Sequence, residues 1–495
     1  MSTVEAIPSA VTVAIPAERS NVPAIALRGA LWSYGGFLLA KLATFGSTVV
    51  LARLLAPEDF GVMSLGLALM TYVDALNDFG IGQAVVHFDD DERTRSTAFA
   101  LTMLTGAVAA CALAVLSEPL AHVLDEPRLA PVSRALAVSY VIISLGSVHS
   151  ALLRRRMQFR RRFVPELAKS VLKAGVAIVL ARRGFGVWSL VWAQLAGVGA
   201  ATLGNWWALR WRPRQWPDVT TTRKVASYGG ATMLVTFLAV IARDVDFLIV
   251  GRALGAEELG RYTLGFRLPD LAIMGVTYAV SQALFPALNR LRDDDEALRR
   301  AYLAALRLLV LVTAPLGAGI ALAAHDFVAI AYGAQWARTA PVLALIGIYF
   351  VTQAAVFVAG DVYKALGRQR LLWIITFVRS IVVVTAVLLV VGHGIVAVAL
   401  AQVVIGVLAC STQLAIAARF IGVGAGALLD AIRPAAIVVA AMVPSTVTVQ
   451  LVMAGADPLP RLLAVALVGA AAGGCAAAFV ARSVLIDVRA RLRSR

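Results

Sequence analysis

Charge is what this sequence has least of. Only 15% of its 495 residues are charged, against 60% hydrophobic, too few to clothe a soluble core of this size. Cysteine is nearly absent too. Cys111, Cys410 and Cys475 each sit inside an apolar run, so they offer neither a disulfide framework nor metal-ligand spacing. Only five lysines occur, and three of them (Lys41, Lys169 and Lys173) fall inside apolar runs. No G-x-x-x-x-G-K-[ST] and no H-E-x-x-H is present, which removes a P-loop and a zincin-type site. No long polar segment interrupts the chain. The longest stretch expected on the outer side, 118–134, is too short for the catalytic loop of an envelope glycosyltransferase, polymerase or ligase. An enzyme is therefore the poorer reading, and no cofactor is expected.

What is present is a series of apolar runs of roughly 20 residues, the length that crosses a bilayer core of about 30 Å. They predict helices over 31–53, 61–86, 97–117, 135–153, 163–181, 186–208, 226–250, 262–287, 301–323, 340–362, 371–392, 395–418, 434–454 and 460–481. The expected fold is an all-α polytopic membrane protein of about fourteen transmembrane helices. The net charge of +16 does not point to nucleic acid, because the basic residues flank apolar runs rather than cover one soluble face. With the N-terminus inside, the inner flanks hold 29 Lys and Arg and the outer flanks 9. That bias places both termini in the cytoplasm. Trp206, Trp207, Trp211 and Trp216 cluster near one end of a predicted helix and Trp188 near its other end, as an interfacial belt requires.

The chain repeats itself. Ser33-Tyr34-Gly35-Gly36 recurs as Ser227-Tyr228-Gly229-Gly230, and Ala52-Arg53-Leu54-Leu55-Ala56-Pro57-Glu58-Asp59-Phe60-Gly61 aligns with Gly251-Arg252-Ala253-Leu254-Gly255-Ala256-Glu257-Glu258-Leu259-Gly260. Gly66 and Gly265 fall in the same register. The repeat lays six helices over the next six. Because six is even, the copies share one orientation and relate by an axis along the membrane normal, with a binding site between two lobes. The expected organisation is a cytoplasmic tail (1–27), an N-lobe (28–222), a C-lobe (223–420), two C-terminal helices (421–482) and a basic tail (483–495).

Seven basic residues remain inside predicted helices: Lys41, Lys169, Lys173, Arg243, Arg267, Arg307 and Arg379. Each costs a few kcal/mol at the bilayer centre unless it faces protein, water or a counter-ion. Arg307 lies close enough to the inner face to snorkel. Glu166 with Lys169, Arg243 with Asp246, and Arg267 with Asp270 are spaced one helical turn apart. Lys41, Lys173 and Arg379 have no such local partner. Two readings stay open for these cations: pairing between helices, or a cationic cavity that receives phosphate or acidic groups. The intramembrane acids are Asp74, Asp78, Glu166, Asp244, Asp246, Asp270 and Asp361. Asp74 and Asp78 share a helix face and fit either charge balance for Lys41 or a site for a coupling cation. Pro269 and Pro286 mark a helix able to bend.

The Ala52–Gly61 stretch, Asp78-Phe79-Gly80-Ile81-Gly82, and Leu284-Phe285-Pro286-Ala287-Leu288 before an acidic loop resemble the signatures of bacterial polysaccharide exporters. These are the Wzx-type flippases, in particular the colanic-acid and teichuronic-acid exporter branch of the multidrug/oligosaccharidyl-lipid/polysaccharide superfamily. The resemblance implies transfer of an undecaprenyl-diphosphate-linked oligosaccharide between leaflets of the bacterial inner membrane. Alternating access would be driven by an H⁺ or Na⁺ gradient or by membrane potential, alongside a polysaccharide polymerase complex. It implies that Lys41, Lys173, Arg243, Arg267 and Arg379 line the cavity, with Asp74, Asp78, Asp244 and Asp246 available for ion coupling or charge balance. By analogy with lipid II flippases, 434–454 and 460–481 would form a groove for the lipid tail. The alternative is a cation or drug antiporter of the same superfamily.

Overall fold

The computed structural model describes residues 39–77, 91–156 and 158–493. Side chains are described for these except 76–77, 159–160, 162, 219, 223–243, 369 and 480–493. Asp78, the Asp78–Gly82 stretch and the tail 1–27 lie outside the described residues, as does the Arg243 side chain.

Fourteen helices make up the described chain. They are α1 (39–54), α2 (Pro57–Asn77), α3 (Glu92–Leu124), α4 (Leu129–Arg155), α5 (Phe159–Arg182) and α6 (Val187–Ala208) in the first half. The helical stretch Val219–Pro269 is broken at Gly255, whose φ of 84° and ψ of 172° are open only to glycine. It therefore counts as α7 (219–254) and α8 (256–290), the latter continuing through Gly275–Arg290. Then follow α9 (Asp295–Phe327), α10 (Thr339–Ala365), α11 (Gln369–Val390), α12 (Ile395–Phe420), α13 (Ala425–Val452) and α14 (Pro458–Arg493). Among the described residues, ten helical segments are long and apolar enough to cross a membrane. The α5 helix is not among them, because Glu166, Lys169 and Lys173 interrupt its apolar run.

Helices run past the apolar runs that announced them. Residues 118–134, expected as the longest loop, are mostly helix, with only a short turn between Leu124 and Leu129. The C-capping Asp125 adopts the left-handed conformation there (φ 55°), which a short polar side chain tolerates. Similarly α13 begins at Ala425 rather than 434 and takes Pro434 into its interior. Hydropathy marks the part of a helix that meets lipid, whereas backbone hydrogen bonding carries the helix into the interface.

In the first half α3 packs on α4, α4 on α6 and α5 on α6; in the second, α9 packs on α10 and both α10 and α11 pack on α12. Close approach comes from small residues, as expected where lipid removes the hydrophobic drive between helices. Gly317 of α9 faces the Gly347 carbonyl of α10, and Gly106 of α3 abuts Ser144 of α4. Leu104, Val108 and Val115 on α3, and Ile374, Phe377 and Ile381 on α11, remain exposed as lipid-facing surface. The pair α13–α14 packs on α9. There Arg461 donates to both Asp326 carboxylate oxygens at 2.9 Å, and Gln450 donates to the Leu322 carbonyl at 2.6 Å.

The repeat is visible in the packing. Gly66 of α2 lies against Leu136 and Val132 of α4, and Gly265 of α8 lies against Val342 of α10. Ala56, where the chain breaks between α1 and α2, aligns with Gly255, where it breaks between α7 and α8. The connection between the halves is pinned to α3. Trp211 donates to Glu92 at 2.9 Å, the backbone N–H groups of Arg214 and Asp218 donate to Ser96 and Thr97, and Asp218 caps α7 through the Thr221 N–H at 3.0 Å. Hydrogen bonds from the Thr220 hydroxyl and from Thr221 hold the Asp218 carboxyl at about 2, so this cap stays ionised well into acid. Trp207 and Trp216, close by, are exposed as interfacial rings.

Candidate functional site

Between the two halves lies a cavity of about 630 Å³. Its walls are unequal. The first half contributes small or uncharged residues of α2, including Ser64, Ala68 and Thr71, whereas the second half contributes the charges and rings. From α7 and α8 come Asp244, Arg267 and Asp270; from α10 come Tyr349, Phe350 and Gln353; from α11 comes Arg379.

Two arginines therefore face one chamber in different states. Arg379 is fixed, donating through one guanidinium nitrogen to Gln353 Oε1 at 2.9 Å and through another to Tyr349 Oη at 3.0 Å. Among the described residues, no hydrogen bond or ion pair holds the Arg267 guanidinium, which is exposed to the cavity. The helical spacing suggested Asp270 as its partner. Asp270 instead accepts from Lys41 of α1 at 2.6 Å, across the interface between the halves. Immediately after Pro269 the helix widens into a π-helical turn over Asp270–Met274. Proline has no N–H to continue the ladder, and such turns recur where a helix is adapted to a site. The bend expected from Pro269 thus takes the form of a widened turn that carries Asp270.

The other candidates separate from the cavity. Lys173 of α5 donates to Gln194 Oε1 of α6 at 2.6 Å and has Arg267 and Lys169 as its charged neighbours. It does not line the chamber. Asp74 lies at the end of α2 beside the Tyr140 hydroxyl. Arg307 reaches the Asp430 carbonyl of α13 at 3.2 Å, and Asp361 accepts from Ser281 at 2.5 Å and Lys364 at 3.2 Å. Asp246 is sealed behind the wall, only 1% exposed. One of its oxygens accepts from Tyr262 Oη at 2.8 Å and from Gln402 Nε2 at 2.9 Å. Its other oxygen is buried with no hydrogen-bond partner among the described residues. The one-turn spacing had offered Arg243 for this carboxylate, and that side chain lies outside the described residues.

Each cation without a local partner has found a tertiary one, and for two of the three, Lys173 and Arg379, the partners are glutamine or tyrosine rather than acid. Sequence reasoning missed Gln194, Gln353, Gln402, Tyr262 and Tyr349. The available signal was the glutamines themselves, since an amide inside an apolar run must find a partner. Lys41 and Asp270 make a direct test of pairing. Replacing either alone by alanine should lower protein abundance, because the hydrogen-bonded ion pair across the interface is broken and the remaining charge is less well compensated. Lys41→Ala with Asp270→Ala together should restore abundance, measured by quantitative immunoblot of membranes. A double variant no more abundant than the singles would show that the pair does not act as a unit.

Comparison with known proteins places this geometry. The family described as "Polysaccharide biosynthesis protein" matches residues 50–341. Succinoglycan biosynthesis transport protein ExoT of Rhizobium meliloti is 27% identical, covering 71% of this chain and 72% of the relative. Lipopolysaccharide biosynthesis protein WzxC of Escherichia coli is 24% identical over 65% of this chain and 66% of its own. Teichuronic acid biosynthesis protein TuaB of Bacillus subtilis is 22% identical over 70% and 72%. Among solved structures, the lipid II flippase MurJ in an inward closed conformation superposes with a TM-score of 0.73 over 92% of this chain and 99% of its own, at 14% identity. An inward-facing MATE multidrug transporter gives a TM-score of 0.60 over 77% and 94%, at 16% identity. At those identities the two structures speak for the fold alone. A fourteen-helix, two-lobed membrane protein with a central charged chamber, matched over 50–341 by that family, belongs to the polysaccharide biosynthesis transporters of the Wzx type, within the multidrug/oligosaccharidyl-lipid/polysaccharide superfamily.

Proposed function

We propose that the protein flips an undecaprenyl-diphosphate-linked oligosaccharide from the inner to the outer leaflet of the bacterial cytoplasmic membrane, for assembly of a surface polysaccharide. The observation that carries this is Arg267, a guanidinium facing the inter-lobe cavity with no protein hydrogen bond among the described residues. Asp270 is its acidic neighbour but makes its hydrogen bond to Lys41, so the guanidinium donors of Arg267 stay available for an anion, and a diphosphate matches their planar arrangement. Arg379 across the chamber offers a second positive charge. The aromatic wall, including Phe266, Tyr349 and Phe350, supplies flat apolar faces for sugar rings.

The lobes 28–222 and 223–420 rock about the cavity in this reading. The 29 to 9 bias of flanking Lys and Arg sets the termini in the cytoplasm, so the end of the bundle carrying the α1–α2 and α7–α8 breaks faces outward. The helices of 421–482 flank α9 and guide the lipid tail outside the lobes. Coupling to a proton or sodium gradient is assigned to Asp246, one of whose buried oxygens has no hydrogen-bond partner among the described residues, with Asp244 in the chamber wall. Lys41 and Lys173 are assigned to the cationic side of the interface, and Asp74 to charge balance.

A deletion strain tests the function. Lipid-linked repeat units should accumulate on the cytoplasmic side, shielded from an external glycan-modifying reagent, while surface polysaccharide disappears. An unchanged pool with heightened sensitivity to cationic drugs would replace this reading with that of an antiporter.

A further inference from the structure

The two copies of the sequence repeat meet face to face at the Arg-poor end of the bundle, through equivalent positions. Gly61 lies against the Ala256 carbonyl so closely that a Cβ would overlap it, and Gly260 lies equally tightly against the Pro57 carbonyl. In the alignment Gly61 corresponds to Gly260 and Pro57 to Ala256. The first turns of α2 and α8 thus touch backbone to backbone, a weak Cα–H···O type of approach that only glycine permits.

The equivalent arginines cross the same seam. Arg53 donates to the Ile330 and Ala331 carbonyls beyond the end of α9, its Nε–O distance being 3.2 Å. Arg252 pairs with Asp125, the C-cap of α3, at 3.7 Å. The helices α3 and α9 are the third of each lobe. One lobe adds a latch without a counterpart: Trp336 and Gln335 each donate to the Ala52 carbonyl at 2.7 Å, and the Trp336 ring meets Phe60 edge-on.

Ser64 and Thr263, again equivalent positions, already line the cavity. Each lies three residues after its glycine, so this roof is about one helical turn, roughly 5 Å, thick. We propose that the repeat motif is the outer gate of the transport cycle. Gly61 and Gly260 act as the closing surfaces, Arg53 and Arg252 as releasable clasps, and opening parts the reciprocal contacts without disturbing either lobe. Exposed arginine bonds of this kind are individually weak, which suits a seam that must open and reseal.

The proposal rests on the transport reading, but its test follows access to the cavity rather than cargo. Ser64→Cys is placed in a background with Cys111, Cys410 and Cys475 replaced by alanine. A membrane-impermeant charged methanethiosulfonate is then applied to right-side-out spheroplasts and to inverted vesicles. With the gate intact, labelling should be slow from the Arg-poor face. Gly61→Val or Gly260→Val should raise that rate at least about tenfold and slow labelling from the basic face, as a shift in the closed population requires. Arg53→Ala with Arg252→Ala should shift both rates the same way by a smaller factor, roughly two- to fivefold. These exposed side chains decide the matter if the valine variants do not fold. Folded variants of both classes that label at the parental rate from both faces would overturn the gate. Shifted labelling together with a failed flipping assay would leave the gate standing and reject the substrate.

Discussion

Arg267→Ala should abolish polysaccharide export while the protein remains at normal abundance in the membrane. The expectation follows from what this guanidinium lacks. Among the described residues its removal breaks no hydrogen bond, and Asp270 keeps its bond to Lys41, whereas an anionic substrate loses a charge-assisted donor. Such a bond contributes about 1.5–3 kcal/mol, roughly ten- to a hundredfold in affinity. Arg267→Lys should recover only part of it, since an ammonium supplies charge without the planar fork. Arg379→Ala is the contrasting case. It strands Gln353 Oε1 and the Tyr349 hydroxyl, and should therefore lower both export and thermal stability. Surface glycan quantified beside membrane abundance separates the two. Normal export in a stable Arg267→Ala protein would remove the anion site from the cavity.

Asp246→Asn should uncouple transport from the ion gradient with the fold retained. The carboxylate is buried with two neutral donors on one oxygen and, among the described residues, no hydrogen bond to the other, an arrangement that suits a proton or a small cation. The amide keeps the shape and one acceptor but cannot change charge. In proteoliposomes, the parent should respond to an imposed proton or sodium gradient and the asparagine variant should not. Asp246→Ala should instead reduce thermal stability, because the buried Tyr262 hydroxyl and Gln402 amide would each lose a partner at about 1–3 kcal/mol. A gradient response that survives in the asparagine variant would move coupling to another group, with Asp244 in the chamber wall the next to examine.

Much of the architecture was written in local pattern. Apolar runs of bilayer length announced fourteen helices, and the described residues form fourteen, because in lipid every backbone group must be satisfied within its own segment. Where the reading fell short, at 118–134 and at the start of α13, the helix continued through polar residues that hydropathy cannot mark. The candidate site was legible only in part. Arg267, Arg379 and Asp244 were singled out as intramembrane charges and do line one chamber, while Lys173 turned to Gln194. Spacing along a helix proposed Arg267 with Asp270, and tertiary packing gave Asp270 to Lys41.

The sequence by itself determined the class, the helix count and the existence of a repeat, since length, hydropathy and recurrence are properties of neighbours along the chain. Only the tertiary structure decided which charges meet. Lys41 and Asp270 are 229 positions apart and Asp246 and Gln402 are 156 apart, distances over which no periodicity constrains a pairing. It also decided that the two copies of the repeat close on each other through Gly61 and Gly260. Recurrence says that two segments are alike; that they touch depends on how two lobes pack, and a glycine's missing side chain is what lets them.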